Sequence, residues 1–267
     1  MGPAEVRRAA LILSLLFGTG EARAAVDPAT FQSLAFRQHP GAQLPLSAQL
    51  DDDSARPVKL VAALAGKPSI VVLEYLRCKN LCGLVLEGTV HAMVAASLRP
   101  GIDVNLVAIS IDPRDTSRDA AAAETAYARR FPDPAGATDG IRFFTARPDQ
   151  VREIAAAVGF PYRYDRQSDQ FLHPAGFVVT TPTGRISRYV LGLNPQPVSL
   201  RNAVAEAGRN QVEPPAHPLL CLCFGYDPDE GSVAALTWQL VRWTCAALVL
   251  ACAAMIGFLS LRRRPVR

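Results

Sequence analysis

Ser69-Ile70-Val71-Val72-Leu73-Glu74-Tyr75-Leu76-Arg77-Cys78-Lys79-Asn80-Leu81-Cys82 is the stretch whose reading decides the fold. Ser69–Leu76 is rich in β-branched and aromatic residues and long enough for a buried strand. Leu81–Leu98 then carries apolar residues at 81, 84, 85, 90, 94 and 98, near helical spacing, and Pro100-Gly101 stops it. Val104–Ile111 (VNLVAISI) reads as a second buried strand. Asp115-Thr116-Ser117 offers caps for an Ala-rich helix ending near Arg130. Ile141–Thr145 reads as a short strand, and Pro148–Val158 as a helix closed by Gly159. Gly176–Thr181 and Arg185–Leu191 flank the turn Pro182-Thr183-Gly184 as a hairpin, and Val198–Arg209 is the last helix. Val26 to about Arg56 reads as an irregular entry segment and Gln211–Pro218 as a Pro-rich linker. This alternation predicts an α/β fold, a mixed sheet with helices on both faces, and no internal repeat.

The two ends of the 267-residue chain point to a membrane. Residues 1–24 hold Arg7 and Arg8, an apolar run from Ala9 to Phe17, and Ala22-Arg23-Ala24, the pattern of a secretory signal peptide. Thr244–Leu261 is 18 residues without a charge, preceded by Trp238 and Trp243 and followed by Arg262-Arg263-Arg264. A run of that length spans a bilayer, the Trp pair suits the outer interface, and the Arg cluster marks the cytoplasmic side. The expected organisation is a signal peptide at 1–24, a globular domain at 25–210, a linker at 211–235, a transmembrane helix region at 236–261 and a basic cytoplasmic tail at 262–267. The domain is expected on the periplasmic side of the inner membrane.

Hydrophobic residues make up 49% and charged residues 19%, which excludes a disordered chain and a fibrous repeat. The net charge of +4 sits at the ends: residues 1–24 carry +1 and the last six +4, leaving −1 for the rest. The globular part lacks the basic footprint of a nucleic-acid binder.

Cys78 and Cys82 stand where the first buried strand turns into the first helix. A spacing of i, i+4 on a helix brings both side chains to one face. A helix N-terminus favours thiolate over thiol, and Lys79 adds positive charge beside the pair, so both sulfurs are expected to be acidic and nucleophilic. Two such thiolates close a disulfide or share a Cu(I) ion. A structural bridge is the plainer alternative, but closing so short a loop gains little chain entropy.

Glu74-Tyr75-Leu76-Arg77-Cys78-Lys79-Asn80-Leu81-Cys82 resembles the strand–CxxxC–helix segment of the SCO/SenC proteins. Val107-Ala108-Ile109-Ser110-Ile111-Asp112-Pro113-Arg114-Asp115-Thr116 is similar to that family's second signature, S-x-D-P followed by D-T. His173, just before Gly176–Thr181, falls where the family places a copper-binding histidine. The resemblance covers about Pro45–Arg209, with all three segments in order. It implies a thioredoxin-like fold and a membrane-anchored copper protein that helps to build the copper centre of cytochrome c oxidase. The implied metal ligands are Cys78, Cys82 and His173, a set suited to Cu(I) and able to hold Cu(II). Asp112 matches the signature and is either a supporting residue near the metal or a turn residue at a strand end. The implied partners are the copper-accepting subunit of an oxidase and a thiol reductant.

The remaining candidates rank lower. His91 lies about two and a half helical turns beyond Cys82, on the opposite face. His39 sits in the entry segment, expected in solvent. His217, Cys221 and Cys223 precede the membrane run; CxC closes a disulfide poorly but chelates a soft metal, which makes these three an auxiliary copper-site candidate. Three functions compete: copper delivery; thiol–disulfide reduction of a client's copper-ligand cysteines by Cys78 and Cys82; and peroxide reduction. The last makes no use of His173. Copper delivery is the favoured reading, and it is not an enzymatic one.

Overall fold

The structure is a computed structural model that describes residues 34–76, 83–167, 169–215, 242–246 and 248. Its centre is a five-stranded sheet built on β3 (Ser69–Glu74), β4 (Asn105–Ser110), β5 (Ile141–Phe144), β8 (Gly176–Thr180) and β9 (Ile186–Leu191), in the order β5-β4-β3-β8-β9. β3, β4 and β5 are parallel, whereas β8 runs antiparallel to β3, and β9 to β8. Every residue of β3, β4 and β8 is buried. Strands covered on both faces favour apolar side chains on both, and this is why their interiors read as continuous apolar runs, with the buried polar residues Ser69, Glu74, Asn105, Ser110 and Thr180 at their ends.

The helices follow from the crossovers. α2 (Gly83–Ala95) joins β3 to β4, and α3 (Ser117–Ala128) with the short α4 (Pro134–Ala137) joins β4 to β5. α5 (Pro148–Val158) leaves β5, and α6 (Pro197–Gly208) follows β9. Ile70 and Val72 of β3 face a core built with Leu86, Met93, Ala120, Ala203 and Val204, so α2, α3 and α6 cover one face. Val71 and Leu73 face the other, packed with Leu60, Leu64, Val151 and Ile154. Each buried Leu, Ile, Val or Met side chain among these stabilises the fold by about 2 kcal/mol, and each Ala by less. A β-α-β unit and a β-β-α unit thus meet along β3 and β8, the thioredoxin-like arrangement.

Several boundaries shift by one or two residues relative to the sequence reading. β3 stops at Glu74, and the described part of α2 opens at Gly83. α3 ends at Ala128, and α6 starts at Pro197. α5 matches its expected span; Gly159 closes it in the left-handed region at φ 67°, where the Arg37 carbonyl would lie 1.8 Å from any Cβ. The entry segment is more ordered than expected. β1 (Gln49–Asp51) and β2 (Pro57–Lys59) form a hairpin, and α1 (Leu60–Leu64) follows it. A further hairpin, β6 (Arg163–Asp165) with β7 (Gln170–Leu172), stands between α5 and β8.

No helix among the described residues is long and apolar enough to cross a membrane. Residues 1–24, and Thr244–Leu261 apart from 244–246 and 248, lie outside the described residues.

Candidate functional site

Cys78 and Cys82 lie outside the described residues, as do His217, Cys221 and Cys223. The described residues give the frame on which the CxxxC stands. β3 delivers the chain at Glu74, whose carbonyl accepts the Ile111 amide at 2.8 Å. Tyr75 is buried, and Leu76 is held by its amide, which donates to the Asp115 carboxylate at 2.7 Å. The same Asp115 oxygen accepts the Ser110 hydroxyl at 2.6 Å. On the far side of the motif, α2 begins at Gly83, and the Tyr127 hydroxyl lies 3.9 Å from where a Cβ of that glycine would be. Burial, reinforced by the charge of Glu74, pushes the Tyr127 hydroxyl up to about 12, so it stays a neutral phenol beside the helix start.

His173 is described, and its setting suits a ligand. It follows β7 and precedes β8, half-buried between two rings. Phe160 stacks on the imidazole with centroids 5.4 Å apart, and Tyr75 meets it edge-on at 6.0 Å. Tyr75 is three residues before Cys78, so the imidazole stands beside the strand that leads into the motif. Nδ1 lies 3.0 Å from the Pro174 carbonyl. A carbonyl only accepts, so Nδ1 carries the proton and Nε2 keeps its lone pair. Burial pushes the imidazole below its ordinary value, with the Pro174 bond opposing. The neutral imidazole that binds metal is therefore the form held near neutral pH. The donor set of two thiolates and this nitrogen fits copper.

Asp112 is buried at the end of β4, and its carboxylate is engaged by Arg114, at 2.9 and 3.0 Å from Nε and 2.8 Å from Nη2. Its sequence candidacy as a supporting residue therefore runs through that arginine. Thr116, and not Asp115, caps α3, in a reciprocal capping box with Asp119. Asp115 was expected as a cap candidate and as part of the D-T signature; its bond to Leu76 spans 39 residues, beyond the reach of local spacing. His91 is exposed on α2, and His39 is exposed with its amide donating to the Tyr189 hydroxyl.

The SCO1/SenC family profile matches residues 48–208. No curated protein matches in sequence. Among solved structures, a protein from Aquifex aeolicus VF5 is similar over 65% of this chain and 96% of its own, at 24% identity and a TM-score of 0.56. A SCO1/SenC family lipoprotein from Bacillus anthracis str. Ames is similar over 66% of this chain and 98% of its own, at 16% identity and a TM-score of 0.51. Arabidopsis thaliana ScoI, known with copper bound, covers 65% of this chain and 98% of its own, at 22% identity and a TM-score of 0.49. The first two likenesses are ones of fold alone. The profile spans more than half of the residues and includes the CxxxC, the S-x-D-P loop and the histidine: the chain belongs to the SCO1/SenC family.

Proposed function

We propose that this protein binds copper through Cys78, Cys82 and His173 and hands it to the copper-accepting subunit of a cytochrome c oxidase. The observation that carries the reading is the state of His173. Its imidazole is neutral, its Nδ1 is spent on Pro174, and its ring is held by Phe160 and Tyr75 beside the chain entering the CxxxC. That tautomer leaves the Nε2 lone pair available to a metal. Copper is the cargo: the two thiolates supply soft donors, and the imidazole completes a three-donor site from which ligand exchange can release the ion. The signal-peptide and transmembrane patterns support a domain tethered on the periplasmic face of the inner membrane. His217, Cys221 and Cys223, between the domain and the apolar run in the sequence, would supply an auxiliary copper site, and a thiol reductant would keep Cys78 and Cys82 reduced.

The test is Cu(I) titration of the reduced protein in a Cys221→Ser/Cys223→Ser background. One equivalent is expected to bind. Cys78→Ser or Cys82→Ser should nearly abolish binding, and His173→Ala should weaken it and erase the Cu(II)–thiolate absorption. Full retention of copper after both Cys78 and Cys82 are replaced would overturn the site.

A further inference from the structure

The loop after β4 carries two buried carboxylates that serve different segments. Asp115 takes the Leu76 amide at the entrance to the CxxxC. Asp112 takes Arg114, which uses Nε, Nη2 and its own backbone amide on that one carboxylate. The remaining guanidinium nitrogen, Nη1, lies 2.7 Å from Asp169, in the connection between β6 and β7. The guanidinium carbon sits 5.3 Å from the Tyr164 ring centroid, and the Tyr164 hydroxyl donates to the same Asp169 oxygen at 2.6 Å. The contacts continue inward. Tyr164 packs on Phe171 at 5.2 Å, and Phe171 on Tyr75 at 5.5 Å. Leu172 ends β7, and the next residue is His173.

An exposed ion pair by itself contributes little. Here the guanidinium is not free to wander, because a buried carboxylate fixes its plane through a two-edged fork. It also grips two residues of one hairpin, by charge and by its face. The hairpin needs such a grip: it consists of two three-residue strands, too short to hold their place unaided.

We infer that Arg114 is a positioning residue for His173, clipping the β6–β7 hairpin to the loop after β4. One loop thereby holds both parts of the site, the entrance to the cysteines through Asp115 and the histidine through Arg114. What is positioned rests on the copper reading; the clip itself is a property of the metal-free protein.

The experiment uses the full chain with Arg114→Ala and Asp112→Asn combined, so that no buried carboxylate loses its cation. Amide hydrogen exchange of the metal-free protein should be about tenfold faster in β6 and β7, with β3 and β4 unchanged. In the copper-loaded protein the Cu(II)–thiolate absorption should shift and copper should leave faster. Arg114→Lys keeps the charge but not the fork, and should fail to restore hairpin protection. If the double variant does not fold, Asp169→Asn and Tyr164→Phe, each altering an exposed side chain, should show the same local pattern. Unchanged exchange in β6–β7, or acceleration spread evenly over the sheet, would overturn the inference. Faster hairpin exchange in a protein that binds no copper would sink the copper reading and leave the clip standing.

Discussion

The Leu76 amide donates to the Asp115 carboxylate at 2.7 Å, joining the end of the β3 segment to the loop after β4. Leu76 is the last described residue before the CxxxC, so this bond sets where the motif begins. Asp115→Ala removes an ionised acceptor from two donors, the Leu76 amide and the Ser110 hydroxyl. The expected loss is about 2–3 kcal/mol in urea unfolding, and Asp115→Asn should lose less because it keeps an acceptor.

Gly88 lies inside α2, where alanine ordinarily stabilises. A Cβ there would come within 1.9 Å of the Leu193 carbonyl oxygen, a backbone atom that cannot rotate away. Gly88→Ala should therefore destabilise by about 1–3 kcal/mol, against the ~1 kcal/mol gain that helix propensity alone would bring. Denaturant midpoints of the variant and the parent settle the sign.

Glu124 titrates above the usual carboxylate range because burial outweighs the Phe143 amide and Arg142 that favour its charge. The folded chain thus holds this proton more tightly than the unfolded chain, and its contribution to stability falls as pH rises through that interval. Glu124→Gln keeps an acceptor for the Phe143 amide without the buried charge. The variant should melt higher than the parent at neutral pH, and the gap should narrow below about pH 4. A lower melting temperature at pH 7 would show that the Arg142 pair is worth more than the burial costs.

His173→Ala separates the two roles open to Cys78 and Cys82. It removes a metal donor but no exchangeable sulfur. If the protein delivers copper, cells carrying the variant should lose oxidase activity at limiting copper and regain part of it with excess copper. If dithiol exchange is the role, activity should stay near the parent's while Cys78→Ser and Cys82→Ser fail.

The legible parts of this fold are those where one pattern answers to one physical demand. β3 and β4 are enclosed on both faces, so their interiors run Ile70–Leu73 and Leu106–Ile109 without a polar side chain, and α5 carries Pro at its start and Gly at its end. The β6–β7 hairpin was illegible because Arg163 and Tyr164 are exposed, so no apolar alternation marks it. The same holds for the site. His173 stands out by its place before β8, but Arg114 and Asp169 are 55 residues apart, and no local spacing joins them. Asp115 misleads a local reading, since the neighbouring Thr116 does the capping.

The outer strand β5 has a consequence for how another polypeptide could add to the sheet. Its Phe143 amide is taken by the Glu124 carboxylate at 3.2 Å, and Thr145 just beyond it exchanges backbone bonds with Asp51 at 2.8 and 3.0 Å. The Phe143 amide and both backbone groups of Thr145 are therefore already engaged before another polypeptide could extend the sheet there. A strand added along this edge would have to displace those three bonds, so main-chain pairing, the sequence-blind mode of attachment, starts at a disadvantage at the C-terminal end of β5. That end of the sheet is thereby guarded against self-association by strand addition.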